Sequence, residues 1–355
     1  MSSTIQQYTT RLDGIDNLQK VEVPRSAPGP GEVLVRIKAV SLNYRDAEVI
    51  RGEYTHHRSV TGSGGAAAIV PCSDMCGVIE QVGTDVTRWT VGDRVLSTFL
   101  PEHRSGPIRE EALASGLGLP RDGVLATHRV FKEHELVPAP AALSDQEACT
   151  LPIAYVTAWM ALNGREPLNP DKYVLLQGTG GVSIAGLLLA KAAGAKVIIT
   201  SSSDDKLARA KNELGADFTI NYRTTPDWDR AVLDLTSGHG ADIILETGGE
   251  KTLPKSFCCA AYGGLINCIG YTSGKSQSVE QQQLNINVLA ISKALTLQGI
   301  LNGPTDRFEE LIRFVEKHEI RPVICKVFAF EQAKEALKYL ESGSHFGKVV
   351  IEVSR

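Results

Sequence analysis

The chain has 355 residues, 43% of them hydrophobic and 22% charged, enough for two domains that each bury a core. A formal net charge of −4 argues against broad electrostatic binding to nucleic acid or an anionic membrane, though not against a local basic pocket for a phosphate. No apolar run approaches the roughly 20 residues of a membrane helix, and "MSSTIQQYTT" at the start lacks the basic-then-apolar pattern of a secretory signal, so a cytoplasmic location is expected.

The first part reads as β-rich. "PGPGE", Pro28 to Glu32, is a turn cluster, and "VLVRIKAV", Val33 to Val40, follows it as a strand. "GVIEQVG", "DRVLS" and "THRVF" are further short strands. "TGSGGAAAIV", Thr61 to Val70, has too little side chain to build a core and reads as a loop. Pro101 to Val124 is loop-rich, with one short helix at "REEALASGLG". After about Glu147 the pattern changes. "ACTLPIAYVTAWMAL" is long enough for a buried helix, and strands then alternate with helices: "YVLLQ", "KVIIT", "FTINY", "DIILET", "GLINCIG" and "LTLQGI". Strand-helix repetition with continuous apolar strands means a parallel sheet covered on both faces. "DRFEELIRFVEKHEI" and "FEQAKEALKYLESG" are amphipathic helices, and "GKVVIEV" is a last strand.

Seven scattered cysteines fit reduced thiols better than a disulfide framework. Neither Cys72 with Cys76 nor the adjacent Cys258 and Cys259 comes with a second pair at zinc-finger spacing, so buried, inert thiols are expected.

"YVLLQGTGGVSIAG", Tyr173 to Gly186, is strand, glycine-rich turn, helix. Gly178 allows the sharp turn. Gly180 and Gly181 leave room for a pyrophosphate, with Thr179 and Val182 beside them, and the helix start aims its free N–H groups at the phosphates. Ser183 stands where a third glycine would pack helix on strand. The next strand ends at Thr200, and Ser201 follows about 20 residues beyond the turn, where an acidic residue would hold the ribose of NAD. Ser201 and Ser202 offer hydroxyls there instead, Lys206 adds charge from the next helix, and Tyr222 lies after the following strand. This set favours NADP (NADPH). Asp204 and Asp205 are close in sequence, but Ser203 reads as an N-cap with both aspartates placed at the helix dipole.

Eight segments in register, among them "PGPGEVLVRIKAVSLNYRD", "DMCGVIEQVG", "VGDRVLS", "LPIAYVTAW", the glycine turn and "FGKVVIEV", give the chain a resemblance to the medium-chain dehydrogenase/reductase superfamily. The resemblance implies a GroES-like β-rich catalytic domain, residues 1–150 and 325–355, and a Rossmann doubly wound domain, 151–324, with the active site in the cleft between them. Zinc members of the superfamily hold a catalytic metal by a Cys, a His-Glu pair and a second Cys. Here Asn43, Ser73 with Asp74, and Ile153 take those positions, and the segment 101–124 has no cysteine. The chain therefore resembles the zinc-independent branch, with the quinone oxidoreductases and enoyl reductases. His56 and His57 read as exposed loop residues rather than metal ligands.

The resemblance assigns further roles. Asn43 lies near the nicotinamide and can donate its amide to a substrate oxygen. Tyr54, in "RGEY", matches the proton-donating tyrosine of metal-independent enoyl reductases, with a packing tyrosine as the equal alternative, and Tyr44 is a second candidate. Arg45 and Asp46 read as structural partners that fix a turn. Thr157, the strand ends Thr247 with Gly248 and Ile269–Gly270–Tyr271, and the returning Phe346, Gly347 and Lys348 complete the cofactor set. "ALTLQGI" resembles the edge strand through which family members pair, so a homodimer is expected. The expected activity is NADPH-dependent hydride transfer to a small conjugated carbonyl or quinone. An alcohol/ketone dehydrogenase on the same fold and a non-catalytic NADPH-binding sensor or scaffold are the alternatives.

Overall fold

A computed structural model of the chain describes residues 3–54, 68–274 and 285–354. His56, His57 and most of the Thr61–Val70 stretch lie outside the described residues. The chain divides into two compact units, Met1–Val156 with Asn302–Arg355, and Thr157–Leu301.

The first unit is built on strands because its sequence alternates apolar and polar residues between turns. β1 (Thr4–Thr9) and β2 (Gln19–Pro24) form an antiparallel ribbon. β3 (Glu32–Leu42) is the long central strand, followed by β4 (Asp74–Val82), β5 (Arg94–Ser97), β6 (His128–Lys132) and β7 (Leu136–Pro138). α1 (Tyr44–Ile50) leaves directly from the end of β3, so the segment read as a turn is a helix. The reason is local. Asn43 takes an extended backbone, and its N–H donates to the Asp46 carboxylate at 2.8 Å, which starts the helix. α2 (Glu110–Leu113) is the short helix expected in the loop-rich stretch.

The long apolar stretch after Glu147 is not one uniform helix. α3 (Asp145–Ala148) is capped by Ser144, a π-helical turn spans Leu151–Tyr155, and α4 (Val156–Asn163) follows. Pro152 has no N–H to give to the ladder. The N–H of Ile153 donates at 3.0 Å to Asp74 on β4, so the turn widens to reach it.

The second unit is a wholly parallel sheet of β8 (Tyr173–Gln177), β9 (Lys196–Ser201), β10 (Phe218–Asn221), β11 (Ala241–Glu246), β12 (Ala260–Cys268) and β13 (Thr296–Gly299). Its order is β10-β9-β8-β11-β12-β13. Read from its own first strand this is 3-2-1-4-5-6, the order of dinucleotide-binding folds, with the switch point between β8 and β11. α5 (Gly181–Ala192), α6 (Asp204–Asn212), α7 (Trp228–Leu235), α8 (Leu253–Cys259) and α9 (Ile286–Ser292) belong to this unit. Gly186 lies on the sheet side of α5, where a Cβ would come within 3.0 Å of Leu245 and 3.1 Å of Leu176. It supplies the close helix-strand packing in which Ser183 also takes part, buried, with its hydroxyl donating to the Gln177 carbonyl at 2.7 Å.

The chain then returns to the first unit. α10 (Thr305–Lys317) buries Phe308, Leu311, Ile312 and Val315 and packs against β7. The sequence reading ended the nucleotide-binding domain at 324, whereas the return lies at 301/302. An amphipathic helix shows which of its faces is covered, not which sheet covers it. β14 (Ile324–Ala329), α11 (Ala333–Glu341) and β15 (Lys348–Glu352) complete the sheet β14-β15-β3-β4-β5-β7, with β6 also paired to β3. Antiparallel pairing of β15 with β3 sets Val349 opposite Leu42 and places Lys348 beside the β3–α1 junction.

Candidate active site

In the second unit the cradle at the switch point is made of backbone. Gly178 has φ +74°, a left-handed conformation that side chains resist, and a Cβ at Gly178 or Gly180 would meet nothing within 4 Å. Gly180 is the N-cap of α5 and has no side chain to cap it, so the first turn at Gly181 and Val182 keeps its donors for a ligand. Thr179 is buried beside them. These residues fit a dinucleotide pyrophosphate: an open glycine turn at the carboxyl end of the first strand, opening a helix.

The neighbouring strand ends are tied by a hydrogen-bond hub that the sequence reading did not identify. Glu246, at the end of β11 and 1% exposed, accepts from Gln177 Nε2 at 2.8 Å, Ser256 Oγ at 2.5 Å, and the N–H groups of Gly248 and Gly249 at 3.0 and 2.9 Å. Thr252 Oγ1 donates to it as well. Gln177 Oε1 in turn accepts from the N–H of Thr247 at 3.2 Å and of Gly248 at 3.3 Å. Its signal in the sequence was a Gln and a Glu, each closing a strand behind a run of apolar residues. Gly270 sits against the Thr247 carbonyl, where a Cβ would come within 2.8 Å. Ile269 and Gly270 donate their N–H groups to the Glu246 carbonyl at 2.9 and 3.2 Å, and Tyr271 follows. Thr157, on α4, is buried in this unit.

At the end of β9, Ser201 is 4% exposed and its Oγ accepts from Ser203 N at 3.3 Å, with Ser202 half-buried beside it. Ser203 is the N-cap of α6, accepting from Lys206 N at 3.4 Å. Asp204 accepts from Asn221 Nδ2 at 2.8 Å, and Tyr222 is exposed. The strand end thus carries hydroxyls, and Asp204 is engaged by Asn221.

The first unit holds a buried polar cluster at the β3–α1 junction. Lys348, 4% exposed, donates from Nζ to the Leu42 carbonyl at 2.7 Å and to Asn43 Oδ1 at 2.6 Å. Asp74, fully buried, accepts from Ser73 Oγ at 2.7 Å and from Ile153 N at 3.0 Å. Burial raises the Asp74 pKa, and the Lys348 charge with the Ser73, Asn43 and Ile153 donors pulls it back. Burial also pushes Asp46 up to about 6, opposed by Arg45 and reinforced by Asp74. Lys348 is shifted down by burial, against the attraction of Asp74 and Asp46. Asn43 Nδ2 is buried and faces Asp74.

Arg45 and Asp46 are structural partners, with Nη1 3.4 Å from Oδ1. The Arg45 guanidinium also donates to the Leu117 carbonyl at 3.2 Å and lies between two rings, 4.9 Å from the Tyr54 centroid and 4.7 Å from that of Phe99. Tyr54 is itself buried, with its ring against Val49 and Leu119. Tyr44, the first residue of α1, is 46% exposed. Phe346 is buried, and Gly347 has φ +77° with the Val323 carbonyl 2.5 Å from where a Cβ would stand.

Residues 29–141 match the family model described as "Alcohol dehydrogenase GroES-like domain", and residues 181–317 match "Zinc-binding dehydrogenase". Among the described residues, those at the superfamily's zinc positions are engaged with other partners. Asn43 presents its oxygen to an ammonium, Ser73 donates to Asp74, and Ile153 brings only a backbone N–H, whereas zinc needs thiolate, imidazole or carboxylate ligands around it. Among the described residues, Glu102, His134 and Glu135 form the one other grouping of metal-ligand type, and Arg121 already holds Glu135 at 2.7 Å.

The chain is 41% identical over 346 residues to a zinc-type alcohol dehydrogenase-like protein of Schizosaccharomyces pombe, covering 96% of this chain and 97% of the relative. It is 28% identical over 347 residues to a quinone oxidoreductase of Pseudomonas aeruginosa, covering 95% and 96%. A crystal structure of an NAD-dependent alcohol dehydrogenase superposes with a TM-score of 0.85 at 32% identity, covering 99% of this chain and 100% of that one. Relatives named 2-haloacrylate reductase, from Burkholderia, and acryloyl-coenzyme A reductase, from Sulfurisphaera tokodaii, match at 27% and 26% identity over 95% and 93% of this chain. With a GroES-like unit, a Rossmann unit in the 3-2-1-4-5-6 order and relatives matched along nearly its whole length, the chain belongs to the medium-chain dehydrogenase/reductase superfamily and is an oxidoreductase.

Proposed function

We propose that the chain is an NADPH-dependent, zinc-independent reductase of conjugated carbonyls or quinones. The observation that carries this reading is the polar cluster at Asn43, Asp74 and Lys348, which fills the positions of a zinc site with groups that bind one another. When bound, the dinucleotide supplies the hydride. Gly178, Thr179, Gly180, Gly181 and Val182 hold its pyrophosphate, and Ser201, Ser202 and Lys206 favour the extra phosphate of NADPH. Tyr54, fixed over Arg45, delivers the proton. The names of the quinone and acryloyl-coenzyme A relatives support the acceptor class.

The alcohol/ketone reading has its own support in the name of the 41% identical relative. A panel of enones, quinones, aldehydes and secondary alcohols, followed through nicotinamide absorbance with both cofactors, separates the two. Turnover of enones or quinones with NADPH, without added metal and without zinc in the purified protein, is the expected result. Turnover of secondary alcohols alone defeats it. Tyr54→Phe is expected to lower kcat with enones by about 10²-fold, the scale of general acid catalysis.

We also infer a homodimer formed through β13. Among the described residues this strand ends the sheet with one side unpaired, and Leu297 on it, Tyr262 on β12 and Ile291 on α9 are exposed apolar side chains. Light scattering coupled to size-exclusion chromatography tests it, and a monomer at micromolar concentration overturns it.

A further inference from the structure

Arg45 is a guanidinium with one end tied and the other unmet. It is 9% exposed, and its central carbon lies 4.9 Å from the Tyr54 ring centroid and 4.7 Å from that of Phe99. Nη1 donates to the Leu117 carbonyl at 3.2 Å and stands 3.4 Å from Asp46 Oδ1. The second oxygen of that carboxylate, Oδ2, accepts from the Asn43 N–H at 2.8 Å. Nε and Nη2 are both buried, and among the described residues neither has a hydrogen-bond partner. Two unmet N–H groups on a buried cation are unfavourable, and an apolar side chain would pack against two rings without that cost. The two groups also form a pair. In a planar guanidinium the Nε–H and one Nη2–H point the same way, side by side, which is the fork that meets both oxygens of one carboxylate.

We propose that Arg45 anchors the acceptor by a carboxylate, and that the acceptor is a small α,β-unsaturated carboxylic acid. A carboxylate brings two acceptor oxygens and one negative charge to a fork that has two donors and one positive charge. A ketone or quinone oxygen meets only one of the two N–H groups and leaves the other buried and unmet. A phosphate monoester brings nearly two charges and further oxygens, for which the rings of Tyr54 and Phe99 and the side chains of Val49 and Leu119 offer only apolar surface. The same apolar surface suits the alkene of an enoic acid. A free carboxylate resists hydride addition because its charge feeds into the alkene. Paired with a guanidinium in a site without water, that charge is held on the oxygens, and the extra charge of the transition state is stabilised there. In the balanced step the β-carbon gains the hydride of NADPH and the π pair of the alkene passes to the carboxylate as an enediolate. The α-carbon then takes the hydroxyl proton of Tyr54, whose ring adjoins Arg45. The products are the saturated acid and NADP⁺, and solvent returns the proton to Tyr54.

This inference rests on the reductase reading, so binding and turnover are measured apart. Crotonate, methyl crotonate and crotonamide share one unsaturated skeleton and differ in charge at the carboxyl end. Each is titrated by calorimetry into the wild-type protein, with and without NADP⁺, where no turnover can occur. Crotonate is expected to bind about 10²-fold more tightly than either neutral ligand, the scale of a buried, hydrogen-bonded charge pair. Equal binding of the three, or no binding of crotonate, overturns the proposal. Arg45→Met is expected to bind all three alike, and Arg45→Lys, which keeps a cation beside Asp46 but has no fork, to lose about 10-fold for crotonate alone. Wild-type affinity for crotonate in Arg45→Met overturns the proposal. The comparison among ligands is made on the wild type, so it decides the matter even where Arg45→Met fails to fold. NADPH oxidation with crotonate and with but-3-en-2-one then separates the two readings. An enone reduced while crotonate is neither bound nor reduced overturns the Arg45 assignment and leaves the reductase. Crotonate bound while no conjugated acceptor is reduced supports the anchor and overturns the reductase reading.

Discussion

The two units prepare their ends of the chemistry in opposite ways. The second unit presents backbone at its cradle: Gly178 and Gly180 leave open space, and α5 begins without a side-chain cap. The first unit packs its junction with ionisable side chains, of which Asp46, Asp74 and Lys348 are each at least 96% buried. A backbone site asks for a conformation, such as φ +74° at Gly178, and for no particular side chain, whereas the side-chain cluster depends on every member. Cofactor affinity should therefore respond to backbone conformation, and turnover and pH behaviour to individual charges.

Several substitutions can break or sharpen that contrast. Gly178→Val forces a β-branched residue to φ +74°. It is expected to weaken NADPH binding by about 10²-fold, the equivalent of roughly 3 kcal/mol of backbone strain, while the first unit keeps its stability. Unchanged NADPH affinity by fluorescence titration would show that the turn does not need glycine. Asp46→Asn probes the other unit. Asp46 carries a pKa of about 6 when folded against an ordinary value of 3.8, so between those values the folded chain holds a proton that the unfolded chain releases. Its contribution to stability is therefore greatest below pH 4 and is lost as pH rises through 6, a change on the order of 3 kcal/mol. The wild-type urea midpoint, measured relative to that of Asp46→Asn, should fall from pH 4 to pH 7. A difference that does not move with pH refutes the sign.

Gly186→Ala tests packing rather than ligand. Its new Cβ meets Leu245 and Leu176 at 3.0 and 3.1 Å, and overpacking of this kind is expected to cost about 1–3 kcal/mol in chemical denaturation. The smallest effect belongs to Lys206→Ala. Loss of one charge toward the 2′-phosphate should weaken NADPH by about 10-fold and leave NADH unchanged. Equal loss for both cofactors would remove Lys206 from the discrimination.

Much of this was legible in order and pattern. Uninterrupted apolar runs such as "YVLLQ" and "KVIIT" become the buried parallel strands β8 and β9, because burial on both faces leaves no polar position. Ser203 was readable as a cap, since a short hydroxyl side chain before a helix has one strong use. What escaped depends on distant partners. The widened turn at Leu151–Tyr155 exists because Ile153 reaches Asp74, a residue far away in sequence, and no local propensity announces that bond. Lys348 was placed with the cofactor by family resemblance, yet its committed hydrogen bonds run to Leu42 and Asn43 across a strand pairing that only the folded sheet creates. The return of the chain at Asn302 was hidden for the same reason: α10 shows an apolar stripe, and β7 beneath it is three residues long.

Glu246 carries one further consequence. With five donors converging on a single buried carboxylate, the turn after β11 is rigid in the folded chain whether or not anything occupies the strand ends. An arriving nucleotide therefore has little loop entropy left to remove at this point. Association should run at the speed of an orientation-limited encounter instead of waiting for the protein to rearrange.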